Sequence, residues 1–235
     1  MSDHLLEVDD HYVEFRTRDG VAKAINGVNY TLDAGETLAV LGESGSGKSV
    51  TAQTIMGILD MPPGFITGGE IRYKGRDLLQ MPEKERQKIR GAEIAMIFQD
   101  SLSALNPVFT VGDQISEMFQ VHRGMSKKEG MQRAVDLMEQ VRIPAARERV
   151  KDYPHQFSGG MRQRIMIAMA ISLDPTVLIA DEPTTALDVT VQAQIMELLQ
   201  ELQRERNMGM ILITHDLGVV AGVADKIAVM YAGRI

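Results

Sequence analysis

Residues 42–49, GESGSGKS, fit the pattern G-x-x-x-x-G-K-[ST], and no other stretch of this chain restricts its fold as strongly. Glycines at these spacings let successive backbone N–H groups turn inward onto phosphate oxygens. Such a loop needs a strand to deliver it and a helix N-terminus to complete it with partial positive charge. Both flanks are present. The run TLAVL at 37–41 is continuously apolar, as in a buried parallel strand, and 48–59 reads as a helix. In this frame Gly42, Glu43, Ser44, Gly45, Ser46, Gly47 and Val50 surround the phosphates of ATP. Lys48 is placed to reach the β- and γ-phosphates, and the Ser49 hydroxyl to ligate Mg2+. The bland alternative is a glycine-rich turn with a solvated lysine; the strand before and the helix after count against it.

The rest of the chain supplies matching elements. Strand-like stretches at 5–8, 12–16 and 28–32 are separated by turn signals at Asp19-Gly20 and Ala34-Gly35. EIRY at 70–73 and IAMIF at 94–98 follow as further strands. From about residue 100 to 173 helices dominate, at 112–121, 127–141 and 161–173, punctuated by Pro107, Pro144 and Pro154. After Asp174-Pro175 the alternation resumes: a strand at 177–180, a helix at 190–206, strands at 210–214 and 226–230. The helix carries an apolar stripe of Val191, Ile195, Leu198, Leu199 and Leu202. The expected organisation is an α/β core (1–99 and 174–235) interrupted by a helical insertion (100–173).

Composition removes several chemistries. The 235 residues include no cysteine, so disulfides, thiolate metal sites and cysteine nucleophiles are out. A net charge of −7 is a poor footing for nucleic-acid binding, which rests on basic side chains meeting phosphates. No basic region followed by an apolar stretch opens the chain, so no secretory signal is expected. The longest uncharged apolar stretch, near 165–173, falls well short of the roughly 20 residues a membrane-spanning helix needs. A protein of this kind working at a membrane must dock on something already there.

A P-loop nucleotide site needs a second acidic element. VLIADE at 177–182 provides an apolar strand ending in two carboxylates. Asp181 suits the Mg2+ shell, and Glu182, one residue on, can polarise the attacking water. Two acidic residues opening a turn before Pro183 is the competing reading. Separately, FSGGMRQR at 157–164 opens a helix with Ser158 as a natural N-cap. Either it caps and nothing more, or a hydroxyl, two glycine N–H groups and a helix N-terminus form a second anion site. One chain already has a complete phosphate cradle. A second site therefore makes most sense in trans, over a partner's ATP.

Here the sequence resembles the ABC ATPases, the nucleotide-binding subunits of ABC transporters. FSGGM corresponds to their signature, usually LSGGQ, with departures at Phe157 and Met161 and an intact centre at Ser158, Gly159 and Gly160. The resemblance implies the Q-loop glutamine at Gln99, near Mg2+ and at the hinge to the helical lobe. It implies the D-loop at Ala186-Leu187-Asp188 and, after the strand MILIT, the γ-phosphate switch histidine at His215. It implies an aromatic stacked on adenine from an early strand; Phe15 and Tyr12 are the candidates, with Phe15 fitting the spacing better. The implied fold is α/β: a P-loop (RecA-like) core with a mainly parallel sheet, an N-terminal antiparallel β subdomain and an inserted α-helical subdomain. SLSALNP at 101–107, YPHQFSGGMRQRIMIAMA and ADEPTTALDVTVQAQI are similar to the peptide-importer branch, which takes up oligopeptides, dipeptides or nickel. That branch implies two integral membrane permease subunits, a second ATPase subunit, identical or homologous, paired head to tail, and indirectly an extracytoplasmic substrate-binding protein. It implies a peripheral position on the cytoplasmic face of the membrane. The branch usually continues past the hairpin that MYAGRI begins, so a truncated chain is expected. The rivals are an ABC ATPase acting as a switch on DNA or ribosomes, and a P-loop kinase. The first usually carries two cassettes or a long coiled coil, and the second offers no account of FSGGM.

Overall fold

The computed structural model describes residues 4–18 and 20–235, so Asp19 of the first expected turn, residues 1–3 and the side chains of Ser101 and Leu102 lie outside the described set. β1 (Leu6–Thr17) and β2 (Gly20–Leu32) form a long antiparallel hairpin. The sequence suggests two short strands where β1 is one. The gap between them is a β-bulge: Asp10 has φ 46° and the register with β2 slips between Val8 and His11. β3 (Thr37–Leu41) leads into the phosphate loop and α1 (Lys48–Met56). α1 stops earlier than expected because Gly57 takes a left-handed conformation (φ 67°) that ends it. β4 (Gly64–Tyr73) and β5 (Arg76–Asp77) complete an antiparallel sheet of order β2-β1-β4-β5.

α2 (Glu83–Ile89) buries only Ile89 and precedes β6 (Ile94–Ile97). The helical segment comprises α3 (Ser101–Ala104), α4 (Val111–Arg123), α5 (Lys127–Gln140), α6 (Ala146–Arg149) and, after a single 3-10 turn at Pro154–Gln156, α7 (Gly159–Ile171). Capping explains its boundaries. Thr110 caps α4, and Ser126 with Glu129 forms a reciprocal capping box on α5, an arrangement worth about 1 kcal/mol. β7 (Val177–Asp181), α8 (Val189–Arg206), β8 (Gly209–Thr214), α9 (Leu217–Val220) and β9 (Lys226–Val229) close the chain.

The second sheet has the order β6-β7-β8-β3-β9, with every neighbouring pair parallel. Apart from the largely exposed edge strand β9, it is buried on both faces, and the side chains of β6, β7 and β8 alternate between two cores. Ala95, Ile97, Leu178, Ala180, Met210 and Leu212 pack with α4, α5, α7 and α8. Ile94, Met96, Val177, Ile179, Ile211 and Ile213 pack with α1 and the antiparallel sheet. A parallel sheet covered on both sides reads in sequence as uninterrupted apolar runs. Its register also gathers the chemistry. Leu41 pairs with Thr214 and Asp181 with Ile213, so the loops after β3, β7 and β8 leave the same, C-terminal edge of the sheet, where α/β folds bind ligands. Among the described residues no helix is long and apolar enough to cross a membrane.

Candidate nucleotide site

The phosphate loop is shaped by positions that exclude a side chain. A Cβ on Gly42 would stand 2.2 Å from the Met230 carbonyl oxygen. Gly45 and Gly47 have φ 79° and 108°, a region costly for other residues, and Gly47 caps α1 with no side chain in the way. Lys48, 6% exposed, curls over the loop and donates from Nζ to the carbonyl oxygens of Gly42 (2.7 Å) and Glu43 (2.9 Å). The ammonium thus sits above the turn it would share with a phosphate. The Ser46 side chain is buried toward Gly42 instead of facing outward.

β7 delivers the two carboxylates, and they part in role. Asp181 is buried and its Oδ1 accepts from the Ser49 hydroxyl at 3.0 Å. Burial pushes its carboxyl above the usual carboxylate range, helped by the nearby charge of Glu182; the Ser49 hydrogen bond and Lys48 act in the opposite direction. Glu182 leaves the strand in a left-handed conformation, φ 46°, which costs about 1 kcal/mol for a residue with a Cβ. Its N–H donates to the Ile213 carbonyl at 2.9 Å, which fixes the turn. The outcome is a carboxylate swung toward three other elements. Oε2 accepts from Gln99 Nε2 and Thr185 Oγ1, each 2.9 Å, while Oε1 lies 3.4 Å from His215 Nδ1.

Most of these groups line one open cleft of about 840 Å3; Gly42, Ser46 and Asp181 do not line it, Asp181 reaching it through Ser49. Glu43, Ser44, Gly45, Gly47, Lys48, Ser49 and Val50 form one wall. Gln99, Glu182 and His215 line the cleft as well, as does Phe15 of β1. Tyr12 does not line it; its ring packs against Gly27 and Gly68 and its hydroxyl pairs with Asp10. Ala24 and Thr185 also line the cleft. Sequence reasoning missed both. Ala24 carries no reactive group, and Thr185 acquires meaning only through its contact with Glu182.

Ser158, Gly159 and Gly160 lie elsewhere, in a separate hollow of about 340 Å3 that shares no residue with the cleft. The Ser158 side chain caps α7 by accepting from Met161 N at 3.3 Å. Ala186, Leu187 and Asp188 face the same hollow. A short loop therefore runs from Glu182 in the cleft to Asp188 in the hollow. Gln192 ties it down by donating to the carbonyls of Thr184 and Leu187.

Mg2+ fits the donor set of the cleft. Among the described residues no cluster of three or more His, Cys, Asp or Glu side chains could cage an ion. Mg2+ is instead typically held by one or two carboxylates together with substrate phosphates and water. The Ser49–Asp181 pair at the foot of the phosphate loop, with Gln99 opposite, is that kind of partial shell.

Comparison with known proteins accords with the geometry. Residues 25–185 match the family described as ABC transporter. The oligopeptide transport ATP-binding protein OppD of Bacillus subtilis is 58% identical over 98% of this chain and 64% of its own length. The Salmonella typhimurium OppD is 57% identical (98% and 68%), and the dipeptide transport protein DppD of Bacillus subtilis 55% (98% and 69%). The chain thus spans about two thirds of the length of the curated relatives it matches. Among solved structures, a dimeric post-hydrolysis state of the ATP-binding cassette MJ0796 bound to ADP and Pi superposes with a TM-score of 0.85 at 29% identity, covering 98% of this chain and 96% of that one.

Proposed function

The chain belongs to the ABC transporter family, and on that premise we propose that it is the ATP-binding subunit of a peptide importer. One observation carries the reading. The phosphate loop, Gln99, Glu182 and His215 meet in one cleft, whereas Ser158, Gly159 and Gly160 occupy another with the loop 186–188. Each chain then holds half of a site. Two ATPase subunits, identical or homologous, pair head to tail, and each signature closes over the other's ATP. The dimeric MJ0796 cassette with ADP and Pi supports this pairing. The curated relatives, named for oligopeptide and dipeptide transport, support peptide as cargo and do not favour a nucleic-acid or ribosome switch. The partners are two integral membrane permease subunits and, through them, an extracytoplasmic binding protein. The place of work is the cytoplasmic face of the membrane.

Phe15 stacks on the base, and the loop N–H groups with Lys48 hold the phosphates. Ser49, Asp181 and Gln99 would hold Mg2+, which when bound would neutralise charge on the phosphate oxygens. Glu182 accepts a proton from the attacking water, and its contacts to Gln99 and Thr185 keep the carboxylate aimed. His215 and Lys48 stabilise charge that develops on the γ-phosphoryl group. Loss of that phosphate removes the contacts to the partner's signature, and the dimer opens. The test is ATP hydrolysis by the complex that copurifies from membranes, with and without peptide. Hydrolysis stimulated by peptide and abolished by Lys48→Ala is expected; copurification with ribosomes, or hydrolysis indifferent to Lys48→Ala, refutes the reading.

A further inference from the structure

The turn after β9 reaches back to the nucleotide site. Tyr231 and Arg234 form an antiparallel bridge, their N–H groups donating to each other's carbonyls at 2.8 and 3.0 Å. Between them Ala232 and Gly233 both have positive φ, 46° and 76°, as a tight hairpin turn of this hand requires. Gly233 is buried although its neighbours in the turn are exposed.

Gly233 joins two elements that otherwise have separate work. Its N–H donates to the Ser46 carbonyl of the phosphate loop at 3.0 Å. Its carbonyl accepts from Asn26 N of β2 at 2.8 Å. With the Asn26 amide oxygen turned inward, that oxygen accepts from Nε and Nη2 of Arg234, both at 2.9 Å. Two residues earlier in β2, Ala24 lines the cleft, and the same strand pairs Ala22 with Phe15. The Ala24 carbonyl is wedged between two glycines: a Cβ on Gly47 would meet it at 2.6 Å and one on Gly233 at 2.7 Å.

We propose that Gly233 is a positioning residue for ATP: the 231–234 turn clamps the phosphate loop to β2 and so fixes the distance between the phosphate end and the Phe15 end of the nucleotide site. The proposal rests on the ATP reading above. The loop's own shape does not depend on the clamp, because Lys48 holds the Gly42 and Glu43 carbonyls and Ser46 N donates to the Glu43 carbonyl. What the clamp adds is the relation of that loop to the strands beside it. A Cβ at 233 has to push the turn away from Ala24, which loosens the relation and leaves the loop intact.

The experiment is calorimetric titration of the full chain with Mg·ATP and, separately, with Mg·tripolyphosphate, which engages the loop alone. Gly233→Ala should weaken ATP by about tenfold and tripolyphosphate by no more than about twofold, given the cost of a side chain at such a φ. Arg234→Ala, which removes the Asn26 side-chain contact and a positive charge near Tyr12, should show the same selectivity at smaller amplitude. Equal losses for both ligands would make Gly233 a structural support of the loop and overturn the proposal, as would no loss for either. Hydrogen exchange on the unsubstituted chain decides the matter if Gly233→Ala does not fold. ATP should slow the Asn26 and Gly233 amides together with those of the loop, and loop amides slowing alone would overturn it. Failure of the unsubstituted chain to bind ATP, by contrast, would sink the nucleotide reading and the clamp with it.

Discussion

Glu182→Gln separates chemistry from binding because the structure makes it nearly isosteric. Oε2 accepts two hydrogen bonds, from Gln99 Nε2 and Thr185 Oγ1, and Oε1 faces His215 Nδ1. A glutamine can keep its carbonyl oxygen toward Gln99 and Thr185 and turn its NH2 to His215, which then accepts through an unprotonated Nδ1. The polar contacts survive, so the fold should lose less than about 1 kcal/mol. The carboxylate charge does not survive. If Glu182 takes the proton from water, its removal should slow hydrolysis by about 10²- to 10⁴-fold, roughly 3–5 kcal/mol of barrier. ATP affinity should hold or rise, since a negative charge beside the γ-phosphate is gone. The assay is single-turnover phosphate release in the complete complex, beside ATP titration and a size measurement for a trapped ATP-bound dimer. A hydrolysis rate within about threefold of the unsubstituted protein would remove Glu182 from the base role. Loss of ATP binding would show that the substitution disturbs the cleft, and the argument from isosterism would fail.

Two further outcomes follow from single contacts. Ser49→Ala removes the hydroxyl that sits 3.0 Å from Asp181, so ATP affinity measured with Mg2+ should fall to the level measured in EDTA; retained Mg2+ dependence would take Ser49 out of the metal shell. His11 lies fully buried in the bulge of β1, and burial lowers its pKa from 6.5 to about 4. The unfolded chain then binds a proton that the folded chain refuses, so the stability His11 contributes is complete above pH 6.5 and is lost as pH falls toward 4. The loss should reach about 2 kcal/mol at pH 5 by denaturant titration, and His11→Leu should flatten the slope across that window. An equal slope in the variant would assign the acid sensitivity elsewhere.

The sequence made some elements plain and hid others for physical reasons. β3, β7 and β8 are buried on both faces, so each reads as an apolar run, and each leads straight into residues that chemistry identifies: Gly42 after β3, Asp181 and Glu182 at the end of β7, and His215 after β8. The first half of β2 is exposed and α2 buries only Ile89, so neither shows a strand or helix period. The bulge at Asp10 interrupts the alternation of β1, so one strand reads as two, at 5–8 and 12–16. The signature's departures were the hardest to weigh from sequence, where Phe157 and Met161 look like two independent losses. The fold joins them. Phe157 is buried, and the Arg149 guanidinium lies 4.2 Å over its ring. The same guanidinium donates from Nη1 to the Met161 sulfur at 3.6 Å, from Nη2 to the Gln156 carbonyl at 3.0 Å, and pairs through Nε with Asp152. One arginine at the end of α6 therefore braces both flanks of Ser158-Gly159-Gly160. Nothing in the spacing of 149, 157 and 161 announces that contact, because a 3-10 turn and a loop intervene. The departures are thus one packing unit behind an intact Ser-Gly-Gly centre, which is why the altered flanks leave the hollow lined by 158–160 and 186–188 in place.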